Sequence, residues 1–253
     1  MKKHIVELKI VVIENLKNIM KKLLLVLIMN LSVSSFAQSA IDFFNSGTHK
    51  DNLKDYKGAI LDYDEAIKLN PIYGKAYYNR GFSKSNLYNF NEAIEDYTKS
   101  IALNTNLVDS YYNRGSAKDD LDDFIGAIAD FSKVIELNPT YSKAYVNRGN
   151  SKNSIKDYYG AINDLTKGIS LNNKSKIAYS DRGLAKLNSN DNSGAISDFT
   201  VAIALDPKDV FSYYYRGIAK LKSNRKENAC LDWNKAVRLG FESAKKLIDK
   251  FCK

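Results

Sequence analysis

The stretch Tyr111-Tyr112-Asn113-Arg114-Gly115 recurs with small changes every 34 residues through most of the 253-residue chain. Further copies begin at residues 43, 77, 145, 179 and 213. A second stretch, Ala127-Ile128-Ala129-Asp130-Phe131, recurs in phase with the first, with copies that begin at residues 59, 93, 161, 195 and 229. Self-similarity at one fixed period is typical of repeat architectures, in which each unit packs on its neighbours. The chain is therefore expected to fold as a linear array.

Each repeat has the pattern of two helices. In residues 74–107, Ala76, Arg80 and Lys84 lie four residues apart, on one helix face, and a second such stripe begins at Ala93. A proline ends a helix and starts the next segment. The three prolines of the chain all stand between repeats: Pro71, Pro139 and Pro207. Each unit is therefore expected to be two antiparallel helices joined by a short turn.

The sequence resembles the tetratricopeptide repeat in its period, in the small residues Gly81 and Ala93 and in the aromatic residues Tyr77 and Tyr97. The resemblance covers about residues 40–239. It implies an all-α fold, a right-handed superhelical solenoid of six helix-turn-helix units followed by a C-terminal capping helix. The expected units are residues 40–73, 74–107, 108–141, 142–175, 176–209 and 210–240, and the capping helix is residues 241–253.

Residues 1–37 resemble a secretory signal peptide and not a repeat. Lys21 and Lys22 precede an apolar run over residues 23–31, and small residues lead up to an expected cleavage site after Ala37. A membrane span needs about 20 apolar residues, more than this run offers. A retained membrane anchor is the alternative.

The start of the translated chain is either Met1 or Met20, because the segment before Met20 is long for a signal peptide. We expect an exported protein, periplasmic or extracellular, that contacts a membrane only if the signal segment stays uncleaved.

The predicted mature chain begins at Gln38 and carries 32 basic and 27 acidic residues, a net charge of +5. Its charges alternate and form no basic stripe of the kind that binds nucleic acid. It has one histidine, His49, and no nucleophile elbow, phosphate-binding loop or zinc-protease motif. We therefore expect no enzymatic activity, no metal or other cofactor, no small-molecule substrate and no nucleic acid.

A pair of opposite charges recurs with the period. Arginine stands where the resembled family usually has leucine, and the second helix supplies an aspartate. Symmetry of the hairpin places Asp96 level with Arg80 of its own repeat and with Arg114 of the next. An unpaired buried charge costs several kcal/mol, so we predict a structural ladder of ion pairs; a charged binding track on the surface is the alternative. The ladder comprises Arg80, Asp96, Arg114, Asp130, Arg148, Asp164, Arg182, Asp198, Arg216 and Asp232.

Cys230 and Cys252 are the only cysteines, and they stand 10 residues before and 12 residues after Gly240. Glycine is a frequent helix stop, so the chain is expected to reverse there and bring the two together. An exported protein meets oxidising conditions, in which such a pair can form a disulfide. Two buried thiols are the alternative.

The resemblance also implies a binding surface, because the first helices of this family line an inner groove that holds polypeptides. An asparagine side chain both donates and accepts hydrogen bonds, so a row of them can pair with an extended backbone. Neighbouring aromatic rings add flat apolar area. The expected groove residues are Phe44, Asn45, Tyr78, Asn79, Tyr112, Asn113, Asn147, Asp181 and Tyr214.

These positions predict a non-catalytic scaffold that binds a protein or peptide in the concave groove. As surface residues, the asparagines are expected to contribute little to stability. The alternative is a structural subunit of a cell-envelope assembly that uses its convex face or its ends, with asparagines that merely suit a solvated helix.

Overall fold

The computed structural model describes residues 17, 19–23 and 38–253. Residues 17 and 19–23 are helical; the rest of the predicted signal peptide, residues 1–37, lies outside the described residues. Residues 38–253 are helices and turns, with no strand among them. In this described part of the chain, no helix combines the length and the apolar character needed to cross a membrane.

The helices come in pairs, one pair for each 34-residue period. They are α1 (residues 38–52), α2 (Tyr56–Leu69), α3 (Gly74–Asn86), α4 (Phe90–Ala102), α5 (Leu107–Asp120), α6 (Phe124–Leu137), α7 (Ser142–Ser154), α8 (Tyr158–Leu171), α9 (Lys176–Asn188), α10 (Asn192–Leu205), α11 (Val210–Lys222), α12 (Lys226–Arg238) and α13 (Lys245–Phe251). The C-terminal segment was expected to be one helix, but a separate 3₁₀ turn over Glu242–Ala244 precedes α13.

The stacking of the pairs produces a solenoid with two unlike sides. Each second helix packs on the first helix of its own pair and on the first helix of the next pair. Successive first helices from α3 to α11 also contact one another, whereas successive second helices among those described make no comparable contact. The first helices are therefore crowded on the inner side of the curve. We call the surface formed by α1, α3, α5, α7, α9 and α11 the first-helix face.

The turn inside each repeat has one geometry. The residue before the second helix's N-cap adopts a left-handed backbone in every repeat, at Lys54, Tyr88, Asp122, Lys156, Asn190 and Asn224. In four repeats the N-cap is an aspartate that accepts a hydrogen bond from the backbone N–H of the third helical residue, a glycine. These pairs are Asp55–Gly58, Asp123–Gly126, Asp157–Gly160 and Asp191–Gly194. Such caps satisfy an otherwise unpaired helix N–H and fix where each second helix begins.

The core runs along the array as a line of small and large side chains. The repeated alanine of the second helix is fully buried, as Ala93 shows, and so is the large residue four positions later, here Tyr97. A Cβ atom added at Gly81 would lie 3.0 Å from the ring of Tyr97. Glycine at this position therefore lets the two helices of a repeat approach closely.

The C-terminal segment covers the last repeat. Leu247, Ile248 and Phe251 pack against Trp233, which is fully buried. A disulfide joins Cys230 on α12 to Cys252, the residue after α13. An apolar flank that a further repeat would otherwise bury is thereby closed, as repeat arrays require at their ends.

Candidate functional site

The arginine side chains of the predicted ladder lie between three helices. Arg114 on α5 donates from Nε and Nη2 to the two carboxylate oxygens of Asp130 on α6, at 2.9 and 2.7 Å. Its Nη1 donates to Thr98 Oγ1 on α4, at 2.9 Å. The same two-point contact joins Arg80 to Asp96, Arg148 to Asp164, Arg182 to Asp198 and Arg216 to Asp232.

Among the described residues, the expected second pairing of a ladder aspartate with the arginine of the next repeat is not present. Arg80 pairs instead with Asp64 of the preceding repeat, two positions after Asp62, at 2.6 Å. Arg148 meets α6 at Ser132, half a turn beyond Asp130, where its Nη1 donates to the hydroxyl at 3.0 Å. The second cation on Asp130 is instead Lys118, at 2.8 Å. Asp130 is 3% exposed. The aspartate therefore lies inside the stack, where its contacts with two partly exposed cations hold helices together.

The predicted groove asparagines join one repeat to the next. Asn113 Nδ2 donates to Tyr78 Oη in the preceding repeat at 3.1 Å, and Asn147 Nδ2 donates to Tyr112 Oη at 3.1 Å. All four side chains are half-buried. Burial raises the pKa of both tyrosine hydroxyls. The asparagines thus differ from the free surface residues expected from the sequence, because each one already anchors a neighbouring first helix.

The N-terminal end of the array departs from this pattern, because Asn79 pairs with a second helix, α2, and not with the preceding first helix. Asn79 Nδ2 donates to Tyr63 Oη at 3.3 Å. Phe44 packs on Tyr73, with ring centroids 5.0 Å apart, and Asn45 is exposed. The bonds between an asparagine and the tyrosine of the preceding first helix are therefore seen at Asn113 and Asn147 and not at Asn79.

Tyr214, at the other end, belongs to the cap. Its ring lies 5.1 Å from that of Phe241, and its backbone oxygen accepts a hydrogen bond from Trp233 Nε1 at 3.1 Å. The structure therefore places Tyr214 against the C-terminal segment and apart from the asparagine series.

An asparagine in this arrangement keeps hydrogen-bonding capacity for a partner. A side-chain amide has two N–H donors and one oxygen acceptor. The bond from Asn113 to Tyr78 uses one donor and fixes how the amide is turned. The remaining N–H and the oxygen can pair with the C=O and N–H groups of an extended polypeptide.

Three cavities open along the first-helix face, between successive first helices. One of about 170 Å³ lies between α3 and α5 and includes Phe82 and Asn113, and one of about 160 Å³ lies between α5 and α7 and includes Asp119 and Asn147. A third, of about 250 Å³, lies between α9 and α11 and includes Asp181. Each therefore contains the residue two positions before a repeated glycine.

Sequence reasoning missed several residues that line these cavities. Phe82, Ser116 and Asp120 belong to this group. Ser116 and Asp120 lie three and seven residues after Asn113, so the 3.6-residue helical period places them on the same helix face. The helical period alone therefore identifies Ser116 and Asp120 as residues on the same face as Asn113.

Asp181 interrupts the asparagine series in repeat five. Its Oδ2 accepts a hydrogen bond from Asn150 Nδ2 at 2.8 Å. Burial raises the pKa of this carboxyl to about 6, and the negative charge of Asp209 adds to the rise. The bond from Asn150 and the positive charge of Lys176 act in the opposite direction without reversing it.

The model of the tetratricopeptide repeat matches residues 43–73, 74–107 and 108–141. The chain therefore contains tetratricopeptide repeats, and its helices form the corresponding all-α solenoid. A comparison with curated proteins found no match.

Solved structures with the same architecture are similar along most of their own length. A structure of MamA is 29% identical, with 64% of this chain and 95% of that chain covered and a TM-score of 0.61. YrrB, described as a tetratricopeptide repeat protein with an unusual peptide-binding site, is 20% identical, with 74% and 97% covered and a TM-score of 0.63. A tetratricopeptide repeat protein from Parabacteroides merdae is 20% identical, with 85% and 100% covered and a TM-score of 0.63.

Proposed function

We propose that this chain is a non-catalytic, exported scaffold that binds an extended polypeptide along its first-helix face. The observation that carries the proposal is the presence of cavities between α3 and α5, between α5 and α7 and between α9 and α11. Each is lined by a residue from the same repeat position: Asn113, Asn147 and Asp181. The peptide-binding site that the description of YrrB mentions is consistent with this use of the fold.

The geometry suits an extended backbone. Packed helices lie about 8–10 Å apart, and an extended chain rises about 3.3 Å per residue. A polypeptide that runs along the array therefore meets a new asparagine about every three residues. Because Tyr78 and Tyr112 hold Asn113 and Asn147 in place, little side-chain entropy is lost when these amides bind. Side chains of the polypeptide between these contacts point toward the cavities.

A second candidate is assembly through the outer face. Ile125 on α6 and Tyr159 on α8 occupy the same position of successive repeats, and they are 74% and 76% exposed. Neighbouring apolar side chains of this kind can bury area against another subunit. In this alternative the protein is a structural component and the first-helix face holds no ligand.

Two double variants separate the candidates. Asn113→Asp with Asn147→Asp keeps the shape of each side chain, and Tyr78 and Tyr112 can donate their hydroxyl protons to the new carboxylates. It removes the amide donors and adds negative charge. The matched control, Asn91→Asp with Asn163→Asp, makes the same chemical change at exposed positions of second helices.

Peptides are selected by display on the purified protein, and their affinities for both variants are measured by fluorescence anisotropy. The groove variant should bind at least tenfold more weakly, which corresponds to about 1.4 kcal/mol, and the control should bind like the parent. Equal affinity of the parent and the groove variant, with a loss in Ile125→Ser or Tyr159→Ser, would favour the outer face.

The export part of the proposal is supported by the disulfide between Cys230 and Cys252, since disulfides persist in oxidising compartments. Mass spectrometry of protein isolated from its native cells tests it. Export predicts a chain that begins at Gln38 and contains the disulfide. An unprocessed chain with two free thiols in the cytosolic fraction would exclude it.

A further inference from the structure

Aromatic side chains pair within repeats one and three, between the first helix and the last residue of the repeat. Phe44 packs on Tyr73 with ring centroids 5.0 Å apart, and Tyr112 packs on Tyr141 at 5.2 Å. In each pair, the first ring stands three residues before the repeated glycine and the second ends the repeat. This packing fills the space next to the asparagine of the same first helix.

Repeats four and five lack both rings. In repeat four the two positions hold Ser175 and Val146, which is part of the buried core. In repeat five both positions are polar. Ser180 replaces the aromatic residue before the glycine, and Asp209 replaces the one at the end of the repeat. Both residues line the 250 Å³ cavity between α9 and α11, the largest of the three described above. In repeat five, the absence of both rings thus coincides with a cavity large enough for a side chain. This cavity opens onto the proposed path of the peptide.

The walls of this cavity are apolar. Ile177 and Leu184 on α9 face Phe211 and Tyr215 on α11 across the space. Ile177 and Phe211 are 58% and 53% exposed, so they form its rim. An aliphatic or flat side chain that entered here would bury these surfaces.

The inner end of the cavity is negatively charged. Asp181 and Asp209 both line it, and Asp209 is 8% exposed. The cation that lines it is Lys176, whose Nζ lies 3.2 Å from Asp206 and 3.9 Å from Asp209. The cavity is thus lined by two carboxylates and one ammonium group, and that ammonium group also pairs with Asp206, which does not line the cavity. The net charge of the whole chain, in contrast, is +9.

Asp181 carries its negative charge at neutral pH, although burial of the carboxylate disfavours the charged form and raises its pKa to about 6. The same position is asparagine in four other repeats, and an asparagine here could also accept the hydrogen bond from Asn150 without burying a charge. A positive group in the cavity would offset the desolvation of the carboxylate. The charge at Asp181 therefore fits a cationic ligand, because it does not favour the stability of the fold.

We propose that this cavity is a specificity pocket for a positively charged side chain, arginine or lysine, of the polypeptide bound on the first-helix face. The methylene stem of that side chain lies between Ile177 and Phe211, and its charged head meets Asp181 and Asp209. The inference rests on the proposed function, because the polypeptide delivers the side chain along the groove.

Nα-acetyl-arginine amide is the first probe, because it carries the side chain without the rest of a peptide. It is titrated into the ¹⁵N-labelled protein, with Nα-acetyl-glutamine amide as the uncharged control. We expect saturable shifts of the amide signals of Ser180, Asp181 and Asp209 with the arginine probe only. No saturation up to the solubility limit, or equal shifts with both probes, would overturn the pocket.

Two variants separate charge from shape. Asp181→Asn removes the charge and keeps the shape, and should weaken binding of the arginine probe at least tenfold. Ser180→Tyr keeps both carboxylates and restores the ring found at Tyr78 and Tyr112, and should block the probe. Asp122→Asn is the matched control, because it removes an exposed charge at a left-handed turn position that asparagine tolerates. A pocket variant that binds like this control contradicts the assignment.

Peptide display distinguishes failure of the pocket from failure of the proposed function. Peptides selected on the parent protein should be enriched in arginine or lysine at one position, and peptides selected on Asp181→Asn should lose that enrichment. Peptides that bind without such enrichment refute the pocket and leave the groove intact. If no peptide is selected although the arginine probe binds, the groove proposal fails and the pocket remains.

Discussion

Arg114 and Asp130 form a two-point contact that joins the two helices of one repeat, and the same arginine reaches Thr98 on the second helix of the repeat before. Its guanidinium also lies over the ring of Tyr111, 5.3 Å from the centroid. One side chain thus connects three helices. Because the arrangement recurs in five repeats, it ties each unit to its neighbour along the array.

Asp130→Ala should lower the free energy of unfolding by about 3 kcal/mol or more. The change leaves two cations, Arg114 and Lys118, without their carboxylate in a part of the stack where their side chains are 16% and 20% exposed. Removal of one partner from a buried ion pair typically costs about 3–5 kcal/mol. Urea denaturation followed by circular dichroism measures the change.

The matched control is Glu136→Ala on the same helix, which removes an exposed ion pair with Lys133. Exposed pairs contribute little to stability, so the midpoint of denaturation should stay nearly unchanged. Equal effects of the two substitutions would mean that Asp130 is solvated and that the ladder does not stabilise the stack.

Asp181→Asn should stabilise the protein at pH 7 and not at pH 4. The pKa of Asp181 is raised from the usual 3.8 to about 6 in the folded chain, so the folded state binds its proton more tightly than the unfolded state. Stability therefore falls as pH rises from about 4 to about 6, by roughly 1.4 kcal/mol per unit of pKa shift. Asparagine removes this loss, on the order of 3 kcal/mol at pH 7.

Thermal melting of the parent and Asp181→Asn at both pH values measures this difference. The other charges near this site, Asp206, Asp209 and Lys176, remain in both proteins, so their titration largely cancels in the comparison. A variant that is less stable than the parent at pH 7 would show that the carboxylate is favourably paired and not merely tolerated.

Removal of the disulfide should loosen the C-terminal cap. In the chain-entropy model, a bridge between residues separated by 22 positions contributes about 3 kcal/mol. Trp233, the only tryptophan of the chain, packs on Phe251 and reports on this region. Cys230→Ser with Cys252→Ser should shift its fluorescence to longer wavelength at a lower temperature than in the parent. An identical transition in the two proteins would mean that packing alone holds the cap.

The triple variant Asn79→Ala, Asn113→Ala, Asn147→Ala should be less stable than the parent, in contrast to the expectation from sequence. Each change removes a half-buried hydrogen bond to a tyrosine, and such bonds contribute about 1 kcal/mol each. Asn163→Ala, at an exposed position of α8, is the control. Melting temperatures that agree for the triple variant and the control would show that these bonds contribute nothing to stability.

The sequence alone predicts those contacts between residues that follow directly from the repeat period. Arg114 and Asp130 meet because a helical hairpin with a short turn has one register, so equal distances from the turn bring residues level. The Asp123–Gly126 cap is also predictable from the sequence, since the same spacing occurs in four repeats. The contact of Arg114 with Thr98 was missed because it depends on the offset between neighbouring repeats.

The cavity of repeat five lay beyond such reasoning. The missing rings at this cavity can be recognised only once Phe44 is seen to pack on Tyr73. Nothing in the sequence relates these two positions of the repeat. After that contact is known, the changes to Ser180 and Asp209 become meaningful. The hydrogen bonds from the asparagines to tyrosines of the preceding repeat were unpredictable for the same reason. They depend on how the helices stack and not on the helical period.

The central claim is that a polypeptide binds along the first-helix face, and chemical-shift mapping tests it most directly. A peptide selected by display is titrated into the ¹⁵N-labelled protein, and the perturbed backbone and side-chain amide signals are assigned. Our account predicts that the largest shifts fall on the side-chain amides of Asn113 and Asn147 and on residues around their cavities. Shifts that cluster instead around Ile125 and Tyr159, with the two asparagine amides unchanged, would contradict it.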